Sequence, residues 1–178
     1  MMHPHRLWPD LVKDRQGLAL VEFAIVAPLF ILMFLSGYVL FDALSANRKV
    51  TAVARTVADL TTRYSSVTSS DLTTIMAAST QILWPYSNTQ ATVRVSEILV
   101  ASSTSATVVW SQAQNTTARN VGSTVTIPSG LASTGTYLVL GEAGYAYVAP
   151  ISYRGFRTMS LNQSIYMVPR KSGSIPLS

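Results

Sequence analysis

The sequence contains no cysteine, and its only histidines, His3 and His5, stand within the first five residues. An exported domain made from it would have no disulfides and would hold together by packing alone. If the N-terminal residues were removed, neither His nor Cys would remain. That excludes the usual soft metal ligands and the Ser-His and Cys-His nucleophile pairs. Acids are scarce as well. Beyond residue 64 there are three, Asp71, Glu97 and Glu142, too far apart in sequence to read as an acid–base pair and expected as surface charges. The glycines form no phosphate-binding fingerprint, and Lys171 has no serine at a spacing that marks a Ser-Lys dyad. The 13 Lys and Arg outnumber the 8 Asp and Glu, but they are scattered and not interleaved with aromatics, so nucleic acid is not an expected partner. The expectation is a protein with no enzymatic activity, no cofactor, no metal and no small-molecule substrate.

One long apolar run is present, and nothing else in the chain approaches it. Leu18 to Phe41 is 24 residues, apolar apart from Glu22, Ser36 and Tyr38. About 20 such residues cross a bilayer core as a helix. Residues 1–17 read as a short cytoplasmic leader with Arg6, Lys13 and Arg15 against Asp10 and Asp14. A secretory signal peptide has a shorter apolar core followed by a small-residue cut site, so a retained anchor is expected. Arg48, Lys49, Arg55 and Arg63 follow the run, so basic residues do not by themselves orient it. Long domains cross largely regardless of charge.

Glu22 is the anomaly, because an acid inside a membrane segment costs a few kcal/mol and usually has a use. One reading leaves it at the membrane edge, in reach of water. The other follows from helix geometry. Were the chain cut after Gly17, Leu18 would carry a new α-amine with Glu22 one turn away, roughly 6 Å along the axis. The carboxylate would also oppose the positive end of the helix dipole. Pro28 cannot donate to the Ala24 carbonyl and is expected to kink or break the helix locally. Ser36 and Gly37 are small enough to admit a neighbouring helix.

The stretch Gly17–Pro28, GLALVEFAIVAP, resembles the start of TadE/TadG-like minor pilins (pseudopilins) of the tight-adherence, type IVc pilus system. Ala43–Leu60, with NRKVT and ARTVADL, fits the same family, as do the closing segments GYAYVAP and IYMVPR. The resemblance implies cleavage by a prepilin peptidase between Gly17 and Leu18, and Glu22 as the assembly residue at the fifth mature position. It also implies other pilins and assembly-platform proteins as partners. The implied location is the inner membrane in a single pass, with the N-terminus cytoplasmic and the C-terminal domain extracytoplasmic. The alternative is a single-pass anchored structural or adhesive protein with no pilus role.

The expected fold is α+β: a long N-terminal transmembrane and stalk helix followed by a small β-rich domain. Residues 18–41 are the span and 42–64 the stalk. Along the stalk Ala43, Ala46, Val50, Val53, Val57 and Leu60 repeat at alternating spacings of three and four, an apolar seam. The seam is expected to pack on this chain's own domain, the other use being contact with other pilins. Residues 65–178 form the domain. A second helix is expected over 71–83, capped by Ser69 or Ser70 and stopped before Pro85. From Thr89 the pattern changes to alternation. Strands are expected at 91–100, 106–110, 124–127, 137–140, 143–148 and 164–168, separated by turns at Gly122, Pro128, Gly130, Gly135, Gly141 and Gly144. Residues 131–137 and the tail after Lys171 read as loop. Ser and Thr make up 34 of the 113 residues from Ser66 onward, with nine charges, which suits a neutral β surface better than disorder. Arg154, Arg157, Arg170 and Lys171 are either solvated loop charges or a docking patch for an acidic partner or anionic surface.

Overall fold

A computed structural model describes residues 15–151 and 158–178. The chain divides into two compact units, residues 1–42 and 43–178. Helix α1 spans Arg15–Thr62 and its assignment runs through Pro28 without interruption. The missing donor at Pro28 therefore does not end the helix. The first unit contains the apolar half of α1. The second contains residues 43–62 of α1, a helix α2 (Ser69–Thr80) and five strands: β1 (Thr92–Val100), β2 (Ser105–Gln114), β3 (Thr124–Thr126), β4 (Tyr137–Val148) and β5 (Thr158–Met167). A long apolar helix followed by a small antiparallel sheet is the architecture expected from the sequence.

The sheet order is β3-β2-β1-β4-β5, with every pair antiparallel. The first three strands form a meander. The chain then returns past β1 to lay β4 on its other side. One face packs against α1 and α2. There Val50, Val53, Ala54, Val57 and Ala58 of α1 and Leu72 and Met76 of α2 meet Val93, Val95, Val139 and Ala143. The opposite face has its own apolar cluster of Ile98, Val100, Ala106, Val108, Leu138 and Leu140, joined by Val125, Ile127 and the partly buried Ala132 and Tyr166.

The seam on α1 packs on its own domain. Ala43, Ala46, Val50, Val53 and Val57 are buried, while Leu60 is only partly so. The buried stripe widens to Ala54 and Ala58 because β4 passes close by. At Gly141 an added Cβ would lie 2.5 Å from the Ala54 carbonyl oxygen and 3.0 Å from the Ala58 Cβ. Here glycine is a spacer and not a turn, so the two segments expected at 137–140 and 143–148 are one strand. Gly144 is likewise inside β4, where a Cβ would meet Thr92 Oγ1 at 2.5 Å and Asn162 Oδ1 at 2.7 Å. Gly122, Gly130 and Gly135 do mark turns and take positive φ.

A bulge decides what β2 presents to each face. Glu97 pairs with Trp110 and Ile98 with Val108, leaving Val109 as the extra residue. Side chains alternate along a strand, and one extra residue reverses the phase. Ala106 and Val108 therefore join the far cluster, while Trp110 turns toward the helices.

Trp110 meets the C-terminal segment there. Its Nε1 donates to the Ile175 carbonyl at 2.7 Å, and the Ile175 amide donates to Glu97 Oε1 at 2.6 Å. Ile175 is wholly buried, Val67 and Leu177 form a parallel bridge, and Val67 N donates to the Pro176 carbonyl. Residues after Lys171 form a loop, as expected, apart from the Leu177 bridge, and Ile175 within it joins the core. Glu97 is also not the surface charge expected, being 1% exposed. Burial pushes its carboxyl above the ordinary value, opposed by the hydrogen bonds from the Ile175 amide and Trp110.

Helix α2 starts earlier than expected. Thr68 is the N-cap, its hydroxyl accepting from the Asp71 amide while the Asp71 carboxylate accepts from the Thr68 amide. This reciprocal capping box consumes Asp71, and the hydrogen bonds from Thr68 lower its pKa. The last expected helical residues form a 3-10 turn, Gln81–Leu83. Arg170 pairs with Asp59, which also binds Arg63 at 2.6 Å, and its amide donates to the Thr62 carbonyl. Arg154 and Arg157 lie outside the described residues, as do His3, His5 and residues 1–14 of the expected leader.

Two outcomes test this packing. Gly141→Ala should destabilise the domain by about 1–3 kcal/mol, as overpacking against backbone does, read as a lower denaturation midpoint of the full chain in detergent. An unchanged midpoint would mean that β4 and α1 are not in close contact. A carboxyl whose pKa rises on folding contributes stability that is present below its unfolded value and lost as pH rises through the folded one. For Glu97 that loss begins above about pH 4.5. Glu97→Gln keeps an acceptor for Ile175 but cannot ionise. Its melting temperature relative to the unaltered protein should therefore climb with pH across that window, and parallel pH profiles would contradict the assignment.

Candidate functional site

The residues singled out by the sequence, Gly17, Leu18, Glu22 and Pro28, all lie on α1. The described part of α1 starts at Arg15, and the Gly17–Leu18 bond lies within its first turn. No acid occupies that turn. Starting the helix at Leu18 instead would bring Glu22 to within one residue of the first turn, where a carboxylate opposes the dipole. Leu18 and Glu22 are both exposed and stand four residues apart, one above the other on the same helix face. Among the described residues no side chain forms an ion pair with Glu22.

The surroundings of Glu22 are apolar on every side of the helix. Leu18, Leu20, Val21, Phe23, Ile25 and the unbroken run Leu29–Phe34 are more than half exposed. A helix apolar all round belongs in a lipid or protein interior. This is the one helix among the described residues that is long and apolar enough to cross a membrane.

The acids of the domain are separated by the sheet. Asp71 caps α2, Glu97 points to the helix side with its cross-strand partners Val139 and Trp110, and Glu142 stands opposite Arg94 on the other face. Glu142 is fully engaged. Arg119 binds it with two bonds, Nε to Oε2 at 3.1 Å and Nη2 to Oε1 at 2.8 Å, and Arg94 Nη1 adds a third at 3.2 Å. The hydrogen bonds to Glu142 raise the Arg119 pKa, and burial with the Glu142 charge raises that of Tyr166. The Arg119 amide donates to Ser111 Oγ, itself bonded to Ser96 Oγ. These contacts tie the segment after β2 down onto the sheet. Beside them lies a polar depression of about 150 Å³ bordered by Thr92, Arg94, Glu142 and Asn162.

A carboxylate held by two guanidinium groups is a poor general base. Lys171 is exposed. Among the described residues no group of three or more His, Cys, Asp or Glu comes together. The Arg94–Glu142–Arg119 set escaped the sequence reading because it depends on the β1–β4 register and on a loop returning over the sheet. Neither leaves a local signal.

No curated protein and no solved structure matches the chain. The family comparison falls on the same helix as the Gly17–Leu18 step and Glu22, stops within its last turn and includes none of the sheet. Residues 17–59 match the model of the family described as TadE-like protein.

Proposed function

We propose that this protein is a minor pilin-like component of a Tad-type pilus system, processed by a prepilin peptidase between Gly17 and Leu18. Its apolar helix holds it in the inner membrane in a single pass. The leader faces the cytoplasm and the sheet domain lies outside. Its role is assembly and surface attachment rather than catalysis, with other pilins and the assembly platform as partners. The observation that carries this reading is the coincidence of three features on one helix. These are the family match beginning at Gly17, the Gly17–Leu18 bond near the described start of the helix, and a carboxylate one turn beyond it in an otherwise apolar surface.

The chemistry is electrostatic. Cleavage frees the Leu18 α-amine, a cation at neutral pH. Glu22 then has a countercharge within one turn of its own helix, or on a neighbouring helix aligned beside it. Pairing offsets the cost of holding either charge in an apolar setting. Such a pair also fixes register, because an offset neighbour would leave both charges unmatched.

N-terminal sequencing of the protein from native membranes should begin at Leu18, and Gly17→Val should keep the leader attached and the mass unprocessed. Recovery of uncut protein from cells that make the peptidase would leave the plain anchored-protein alternative. Glu22→Ala should insert normally, yet the amount recovered with pili should fall by about tenfold, equivalent to about 1.4 kcal/mol. Undiminished recovery would remove the proposed role of this carboxylate.

A further inference from the structure

The domain has exposed apolar side chains gathered at one end, the end built around Ala43 and Ala46. Those two residues and Tyr147 form a small buried cluster, with Tyr86, Tyr145 and Ala149 packed on it. The Tyr86 ring lies 6.2 Å from Tyr145 and 6.3 Å from Tyr147. Several large exposed side chains stand within two residues of this cluster or paired to it, Ile151 beyond Ala149 among them. Leu44 follows Ala43, Trp84 precedes Tyr86 by two, Val148 follows Tyr147, and Met159 is the cross-strand partner of Tyr147. Trp84 is 79% exposed, the highest value among the described large hydrophobics. It is nonetheless fixed, because Lys49 Nζ donates to its carbonyl at 2.7 Å and to that of Ile82 at 3.4 Å.

Two facts identify the occupant. Ala43 follows Phe41, the last residue of the apolar run, by two positions, a rise of about 3 Å. The chain therefore enters the domain through these residues directly from the apolar run. Its composition also fits that place. Trp and Tyr with Lys and Arg are the residues that settle at the boundary between headgroups and acyl chains. Arg48 is exposed on the same stretch of α1, one turn beyond Leu44. Val121 and Val168, also exposed, do not adjoin this cluster in sequence, and apolar residues exposed singly need no partner.

We propose that Leu44, Trp84, Val148 and Met159 rest on the membrane surface, with Trp84 inserted at the headgroup–acyl boundary and Arg48 and Lys49 toward anionic headgroups. This inference rests on the reading of Leu18–Phe41 as a membrane span. The patch gives the anchored domain a second foothold, so that leaving the bilayer requires releasing Trp84 as well as the helix.

The test uses the full chain carrying Trp8→Phe, so that emission comes from Trp84 and the buried Trp110. The protein is reconstituted into phosphatidylcholine–phosphatidylglycerol vesicles, with and without lipids brominated high on the acyl chain. Flotation with the vesicles reports the span independently. Bromination should quench about half of the emission, as for an interfacial Trp, and the quenching should vanish in Trp8→Phe/Trp84→Phe. Protein that floats with equal emission in both lipids would overturn the proposal while leaving the span intact. A blue shift that grows with protein density without quenching would assign the patch to a second copy and equally overturn it. Failure to float would remove the span and the proposal together.

Discussion

The close approach of β4 to α1 at Gly141 is the contact on which the domain depends. Helix and sheet can approach so closely only where the side chains between them are reduced to almost nothing. Ala54 and Ala58 on one side and Gly141 on the other meet that condition. Once β4 is seated, β1 and β5 are placed by pairing with it, and β2 by pairing with β1. The hydrophobic stripe of α1 then becomes the floor of the core. A helix of this kind has two unlike halves. The first is apolar on all sides. The second is apolar along one stripe, which the sheet covers.

The electrostatics follow the same division. Within the domain nearly every described acid serves structure: Asp59 holds two arginines, Asp71 caps α2, Glu142 binds Arg94 and Arg119, and Glu97 secures the C-terminal segment. Glu22 is different. It stands on the apolar half without an ion-pair partner among the described residues. Under the proposed function its countercharge is the amine that cleavage would free at Leu18, one turn away.

Much of this was legible in advance, and the reason is locality. The apolar run, the seam at Ala43, Ala46, Val50, Val53 and Val57, and the alternating strands all announce themselves within windows of a few turns. So do Gly17, Leu18 and Glu22, whose relation is one helical turn. What escaped depends on partners distant in sequence. Gly141 and Gly144 look like turn residues until another backbone or side chain is seen beside them. Glu97 looks like a surface acid because nothing local reveals that Ile175 will bring an amide to it. The tail looks free because Val67, which it joins, lies more than a hundred residues away. The two serines after Thr68 mask it as the cap, although only Thr68 stands three residues before Asp71, as a reciprocal cap requires.

The bulge at Val109 sets how far the chain's length can drift over evolution. On either side of it the strand serves two different interiors, and a single inserted or deleted residue in β2 would exchange them. Apolar groups would then be sent where hydroxyls belong, and the indole carried away from the C-terminal segment. Length variation among relatives of this domain should thus collect in the connections flanking Gly122 and Gly130, where turns with positive φ already reverse the chain away from both cores.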